Sequence, residues 1–307
     1  MAKPTPVRGV HAATPMPEAA RALIGARLAD VQRHLGKLGP ELETDEVHDT
    51  RVATRRLRAA LALYGDRKRA RRADRVLRSL QDALGEVRDV QVQLDAFSAM
   101  AAKAPPPERT ALNRVRKHLA ARLPERADDL RGAVPRWQQD GIQALGRLEQ
   151  LKPKGKLGGH RLRGKMVADL EKLEARLLDA QRDPSVTPMH ELRKTVKRFR
   201  YSLELLTPAM PTEIEEILGA LTPLQERLGK LHDTDVRLEL VDDHGDASTQ
   251  GTDAVLRRLR VERDRQAQDT LRALESWEEE AVALRSQVLL SASPLKRGAP
   301  RRGGGRG

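Results

Sequence analysis

The sequence has no cysteine, which excludes disulfides, thiolate metal sites and cysteine nucleophiles and suits a reducing cytoplasm. Aromatic residues are nearly as scarce, with two each of Phe, Trp and Tyr in 307 residues. Single-stranded nucleic acid is gripped largely by stacking bases on aromatic platforms, so this scarcity weighs against such a ligand. No apolar run reaches the roughly 18 residues of a membrane-spanning helix. The opening MAKPTPVRGVHAATPMP lacks the apolar centre of a secretion signal and reads as a short disordered lead over residues 1–16. A cytoplasmic protein without a membrane partner is the expectation. No P-loop, nucleophile elbow or H-E-x-x-H zinc motif is present, so neither an enzyme nor a cofactor is expected.

What the chain does have is positive charge. Lys and Arg number 57 against 44 Asp and Glu, a net charge of +13. Such an excess favours a polyanionic partner, whether nucleic acid, an acidic membrane surface or a phosphate polymer. Abundant Ala, Leu, Arg and Glu, with few β-branched or aromatic runs, predict an all-α fold.

The chain reads as a duplication. VHDTRVATRRLRAALALY (47–64) aligns with MHELRKTVKRFRYSLELL (189–206), matching His48 with His190, Arg51 with Arg193, Arg55 with Lys197, Arg56 with Arg198 and Arg58 with Arg200. A second block, LQDALGEVRDVQVQLDAF (80–97), aligns with LQERLGKLHDTDVRLELV (224–241). The copies stand 142 residues apart in the first block and 144 in the second, and Trp137 and Trp277 fall late in each half. Predicted helices run 17–38, 44–64, 68–101 and 107–149 (interrupted near Pro124 and Pro135), then 159–182, 186–207, 211–244 and 250–290. This is an internal duplication of two four-helix bundles, residues 17–150 and 159–290. LKPKGKLGGH joins them, with 151–158 as the linker, and 291–307 form a basic, Gly-rich tail expected to be disordered.

On a helical wheel His48, Arg51, Arg55 and Arg58 share an arc of about 80°, opposite an apolar stripe. His190, Arg193, Lys197 and Arg200 repeat this, with Lys194 beside them; Arg56 and Arg198 flank the arc on the core side. Like charges three and four residues apart repel by a few tenths of a kcal/mol per pair. No acidic residue lies between Arg51 and Arg58 or between Arg193 and Arg200 to cancel this. A helix that keeps such repulsion twice calls for an anionic partner, and Arg offers planar, bidentate donors to phosphate oxygens. An ordinary solvated face is the competing reading.

Metal binding by His48 or His190 is disfavoured, because the positions three and four residues on carry Arg, Val or Lys. Donation to a phosphate fits these histidines better, against capping or interhelical packing. Gly85 and Gly229 sit in predicted helix interiors at a cost of about 1 kcal/mol each relative to Ala, so a close helix crossing is expected at both. Asp89 and Asp233 are candidates to orient an Arg of the basic row, with plain surface placement as the alternative.

The two H-x-x-R-x-x-x-[RK]-R-x-R copies, supported by LGEVRD (84–89) and LGKLHD (228–233), resemble the CHAD domain, the conserved histidine α-helical domain, over about residues 17–290. The resemblance implies two four-helix bundles related by a pseudo-two-fold axis, with the basic helices lining a shared groove or pore. It also implies inorganic polyphosphate as the partner, in some cases at polyphosphate granules. The implied ligands are His48, Arg51, Arg55, Arg56, Arg58, His190, Arg193, Lys194, Lys197, Arg198 and Arg200. Arg21, Arg27, Arg163 and Lys165 on the opening helices are weaker candidates. Two features depart from an even pattern. Lys197 replaces an Arg, and the run containing Arg67, Lys68, Arg69, Arg71, Arg72, Arg75 and Arg78 is much more basic than its counterpart in the second half, which carries Glu213, Glu215 and Glu216, so a shared site has a lopsided field.

Such domains are often joined to a triphosphatase domain with an E-x-E-x-K signature; Glu41 and Glu43 here are followed by Asp45, without the Lys. Weak nonspecific nucleic-acid binding at low salt is the alternative function, and a structural scaffold is a third.

Overall fold

Prolines fall mainly at the joints between long Ala-, Leu-, Arg- and Glu-rich stretches, so the apolar side chains are buried by folding helices back on one another. The computed structural model describes residues 4–64, 67–146, 154–246 and 249–292, and for 67–69, 161, 213, 276 and 278–292 the backbone alone. Helix α1 spans Met16–Leu35, α2 Thr44–Tyr64, α3 Arg67–Lys103 and α4 Pro106–Arg136. A π-helical turn (Trp137–Gly141) and the short α5 (Ile142–Leu145) continue α4. Then follow α6 (His160–Arg182), α7 (Val186–Leu206), α8 (Pro211–His244) and α9 (Gln250–Ala292). Among the described residues the one β-type pairing is an isolated bridge between Pro15 and Lys156. The fold is all-α, as expected, and none of the described helices is long and apolar enough to cross a membrane.

Most helix ends lie within two or three residues of the predicted ones; two differences have clear causes. Helix α1 stops at Leu35, where the Gly36 amide donates to the Gln32 carbonyl and the chain turns away. Helix α4 runs through Pro124 and Pro135 and changes character only at the π-turn. There the Trp137 indole, fully buried, lies against Gly141: a Cβ on that glycine would stand 2.1 Å from Trp137 Cε3. Pro135 gives no amide to the ladder, and the wider turn lets the large ring fold back over the glycine.

Neighbouring helices pack in sequence within each half, and α2 packs on α7 and α4 on α9 between halves. The main core is common to both, uniting Leu57, Leu61 and Leu84 with Leu203, Leu224 and Leu228. A second, smaller core at the far ends of the long helices joins Phe97, Leu112 and Val115 to Val255 and Leu259. On α8, Leu231 belongs to the first core and Val241 to the second, and the stretch between them carries His232, Asp233, Asp235 and Arg237. Polar residues thus occupy the middle, held between two apolar clamps. At one end of α2 the buried Tyr64 hydroxyl donates to the Leu205 carbonyl of α7 at 2.8 Å.

The described part of the N-terminal lead, expected to be disordered, is tied down. Thr5 gives its hydroxyl and its amide to the buried Asp30 of α1, at 2.5 and 3.2 Å. Residues of the expected linker pair with the same lead: the Leu157 amide donates to the Thr14 carbonyl and the Gly158 amide to the Ala12 carbonyl, at 3.0 and 2.8 Å. Asp30, desolvated beside Arg27, demands hydrogen-bond donors, and the lead supplies them. Linker residues 151–153 and the tail from 293 lie outside the described residues.

Candidate functional site

The aligned helices α2 and α7 bury the same positions. Val47, Thr50, Ala53, Thr54, Leu57, Leu61, Leu63 and Tyr64 are buried on α2, and Met189, Leu192, Thr195, Val196, Phe199, Leu203, Leu205 and Leu206 on α7. With the same stripe turned inward, each helix presents its basic row on the same remaining face. Because α2 and α7 pack on each other, the two rows become neighbours.

Their proximity is visible in the charges. Burial, and then the charges of Arg193, Arg55 and Arg51, push the Lys197 ammonium down to about 7. Burial and the neighbouring Arg55, with Arg193 beyond it, lower Arg51 to about 10. Arg193 is lowered as well, chiefly by burial, and Arg55 adds to it. The Nε atoms of Arg51 and Arg193 are buried with no hydrogen-bond partner among the described residues. Two carboxylates offset this cluster in part. Asp89 Oδ1 lies 3.5 Å from Arg51 Nη2, and Asp233, itself raised by burial, acts on Arg193. Four cations thus converge on two acids.

The cluster adjoins a cavity of about 700 Å³ lined by α2, α3, α6 and α7 and open to solvent. Its described lining includes Arg55 and Arg58, Arg71, Lys165 and Lys172, and Arg193, Lys194, Lys197 and Arg198, against the acids Asp74 and Asp169. Leu61, Leu63, Phe199 and Tyr201 supply apolar wall. Such a surface attracts anions and holds them by charge-assisted hydrogen bonds.

Arg56 and Arg198, aligned in sequence, part ways in space. Arg56 is buried and donates from Nε to Glu204 Oε2 of α7 at 2.7 Å, whereas Arg198 is exposed at the cavity. The aligned position to Glu204 is Ala62, so α2 offers Arg198 no equivalent carboxylate. Arg58 and Arg200 keep the match: Arg58 donates to Gln81 at 3.2 Å and Arg200 to the aligned Gln225 at 3.1 Å. Each also reaches an acid, Arg58 to Asp74 at 2.9 Å and Arg200 to Glu204 at 3.3 Å. Lys194 pairs with Glu191 one turn earlier on α7.

His48 is half-buried, and burial followed by the Arg88 charge lowers its pKa. His190 Nδ1 faces His232 Nδ1 at 3.3 Å, His232 being the residue aligned with Arg88. Burial, then Arg193 and His190, push His232 down to about 3. Burial, then the charges of Lys194 and Arg193, lower His190 as well, so both histidines of the motif are disfavoured as cations by their surroundings. Among the weaker candidates, Lys165 lines the cavity, paired with Asp169 at 2.7 Å. Arg27 is buried, 3.2 Å from Asp30, Arg21 is exposed on α1, and neither these nor Arg163 belongs to the cavity lining.

Several residues here escape the motif reading. Lys172 and Arg71 line the cavity, His232 sits against His190, and Tyr201 forms wall. The basic run at the start of α3 signals Arg71, but nothing in the sequence sets it apart from Arg72 or Arg75. Gly85 is the other. A Cβ there would stand 3.2 Å from Arg51 Nη2, so this glycine seats a guanidinium rather than a crossing helix. At Gly229 a Cβ would meet nothing within 4 Å, and the expected close crossing is absent there too.

Among the described residues no three His, Asp or Glu side chains gather to hold a metal ion. Comparison with known proteins fits the geometry. No curated protein matches the sequence. A solved structure that does match is the crystal structure of the CHAD domain from the plant Ricinus communis, with a TM-score of 0.65 at 20% identity, covering 94% of this chain and 96% of that one. The family model of the CHAD domain matches residues 22–242, a span that holds both basic rows and both glycine-aspartate blocks, and the chain belongs to the CHAD domain family.

Proposed function

We propose that this protein binds inorganic polyphosphate, without turning it over, in the basic cavity where α2 and α7 meet. One observation carries the reading. Arg51, Arg55, Arg193 and Lys197 are drawn together from two helices, where burial and then the charges of the three arginines lower the lysine to about 7. A ligand that places negative charges every few ångströms relieves that repulsion at several points together. From His48 to Arg58 the row is about 15 Å long, so it meets several successive phosphates of a linear chain. Arg55, Arg58, Arg193 and Arg198 offer bidentate donors, while Lys165, Lys172 and Lys194 act as mobile point charges.

No cofactor is required for such binding. Association with polyphosphate granules in the cytoplasm follows from the ligand. Nonspecific nucleic-acid binding is the rival, since a basic helical surface attracts any phosphate backbone at low salt. A recessed cavity of about 700 Å³ favours a thin chain over a duplex, and its described lining offers one aromatic pair, Phe199 and Tyr201, already packed as wall.

Titration with polyphosphates of graded length at physiological salt tests the proposal, on the wild type and on an Arg51→Ala/Arg193→Ala variant. Affinity in the variant is expected to fall by tenfold or more, about 1.4 kcal/mol or above. An unchanged affinity would discard the site. Equal mutual displacement by polyphosphate and DNA would discard the ligand.

A further inference from the structure

A second basic surface shares no residue with the central cavity. Between α8 and α9 lies a groove of about 510 Å³ lined by Arg227, Lys230, Arg265 and Arg272, with Gln266 and Asp269. The one acid among its described lining residues is already engaged, because Asp269 pairs with Arg272. Arg227, Lys230 and Arg265 are exposed, and their side chains make no hydrogen bond or ion pair among the described residues.

The duplication provides an internal control. The aligned groove between α3 and α4 is lined by Ala83 and Glu86 where the second has Arg227 and Lys230, and by Asp129 and Ala133 where the second has Asp269 and Ala273. There Arg75, Arg78 and Arg136 are matched by Asp82, Glu86 and Asp129, so charge balances within that groove. The backbone arrangement therefore does not require a basic lining. Only the second half has one. Arg227 and Lys230 stand one turn apart on α8, and Arg265 and Arg272 two turns apart on α9, which sets two short cationic rows across one furrow. None of its described lining residues is aromatic, so they offer no platform for a base.

We infer that the α8/α9 groove is a second anion site, which takes a short oligophosphate or one segment of a longer phosphate chain independently of the central cavity. The choice of ligand rests on the polyphosphate reading above; the existence of the site does not. Three unengaged cations meet successive phosphates from two sides, and Arg227 and Arg265 contribute the planar donors.

The test is calorimetric titration with tripolyphosphate on three proteins: the wild type, the central variant Arg51→Ala/Arg193→Ala, and a groove variant Arg227→Ala/Arg265→Ala. Both groove residues are exposed, so the fold is retained, and helical circular dichroism checks it. The wild type is expected to show two classes of site. The groove variant keeps the central class and weakens the other by about tenfold or more. The central variant keeps the groove class. A groove variant that titrates like the wild type overturns this inference whatever the central variant does. A central variant that titrates like the wild type, beside a groove variant that loses binding, overturns the central site and leaves the groove standing.

Discussion

The Arg51 guanidinium rests on Gly85: a Cβ at that glycine would stand 3.2 Å from Arg51 Nη2 and 3.3 Å from Nε. Mid-helix glycine weakens α3 by about 1 kcal/mol relative to Ala. The compensation is a flat seat that lets the charged group lie along the helix, within 3.5 Å of Asp89.

Replacing Gly85 with Ala is expected to leave stability within about 1 kcal/mol, since better helix propensity offsets the crowding. Polyphosphate affinity should fall several-fold, because Arg51 must shift by a few tenths of an ångström. Gly229→Ala, with open space around it, should stabilise by about 0.5–1 kcal/mol and leave affinity alone. Urea melts and titrations on the pair decide this. Wild-type affinity in Gly85→Ala would refute the seating role.

Arg55 and Arg56 are adjacent, and their losses should have opposite signatures. Arg56→Ala removes the partner of Glu204, whose side chain is only 12% exposed, and should cost about 2–3 kcal/mol, Arg200 still offsetting part of that charge. Arg55→Ala removes a cation from the cavity wall and should change stability by less than about 0.5 kcal/mol while weakening binding about tenfold. Parallel melts and titrations that show no crossover would contradict this division of labour.

Lys197, near 7 in the free protein, couples binding to pH. A bound polyanion favours the ammonium and raises its pKa. Below pH 7 the group is already charged, so binding takes up no proton there. Above 7 it must acquire one, and affinity should fall by up to about tenfold per pH unit until the pKa of the bound form is passed. The same shift acts the other way on folding: the unfolded chain keeps this proton up to the ordinary lysine range, so the free protein gains stability as pH rises from about 7. Calorimetry at pH 8 in buffers of differing ionisation enthalpy reads the proton uptake directly. Lys197→Arg should abolish it, and equal uptake by that variant would assign the effect elsewhere.

Gly141→Ala should destabilise by about 3 kcal/mol, since the new methyl would stand 2.1 Å from the buried Trp137 ring and the π-turn has little room to yield. Denaturant melts with tryptophan fluorescence report it. A variant as stable as the wild type would mean that the ring relocates freely.

Much of the fold was legible because helices announce themselves locally. The apolar stripe on α2 and its repeat on α7 follow from periodicity, and the buried positions coincide as the alignment requires. Cap and proline rules placed most ends within two or three residues. What failed was judged from local composition alone. The polar N-terminal lead looked free, but Asp30 on α1 binds Thr5, 25 residues earlier. Mid-helix glycine suggested helix crossings, and one turned out to accommodate a side chain of another helix.

By itself the sequence determined which residues can be cationic, that they form rows on two helices, and that the rows repeat. A single helix needs only its own periodicity to set those directions. Tertiary structure alone decided which cations meet and which are neutralised. Arg56 is consumed by Glu204 across 148 residues of sequence while its counterpart Arg198 stays exposed, and Lys197 is lowered by burial, by Arg193 of its own helix and by Arg55 and Arg51 of the opposite one. Charge state depends on distance and burial across helix axes, and those are fixed only when α2 and α7 pack.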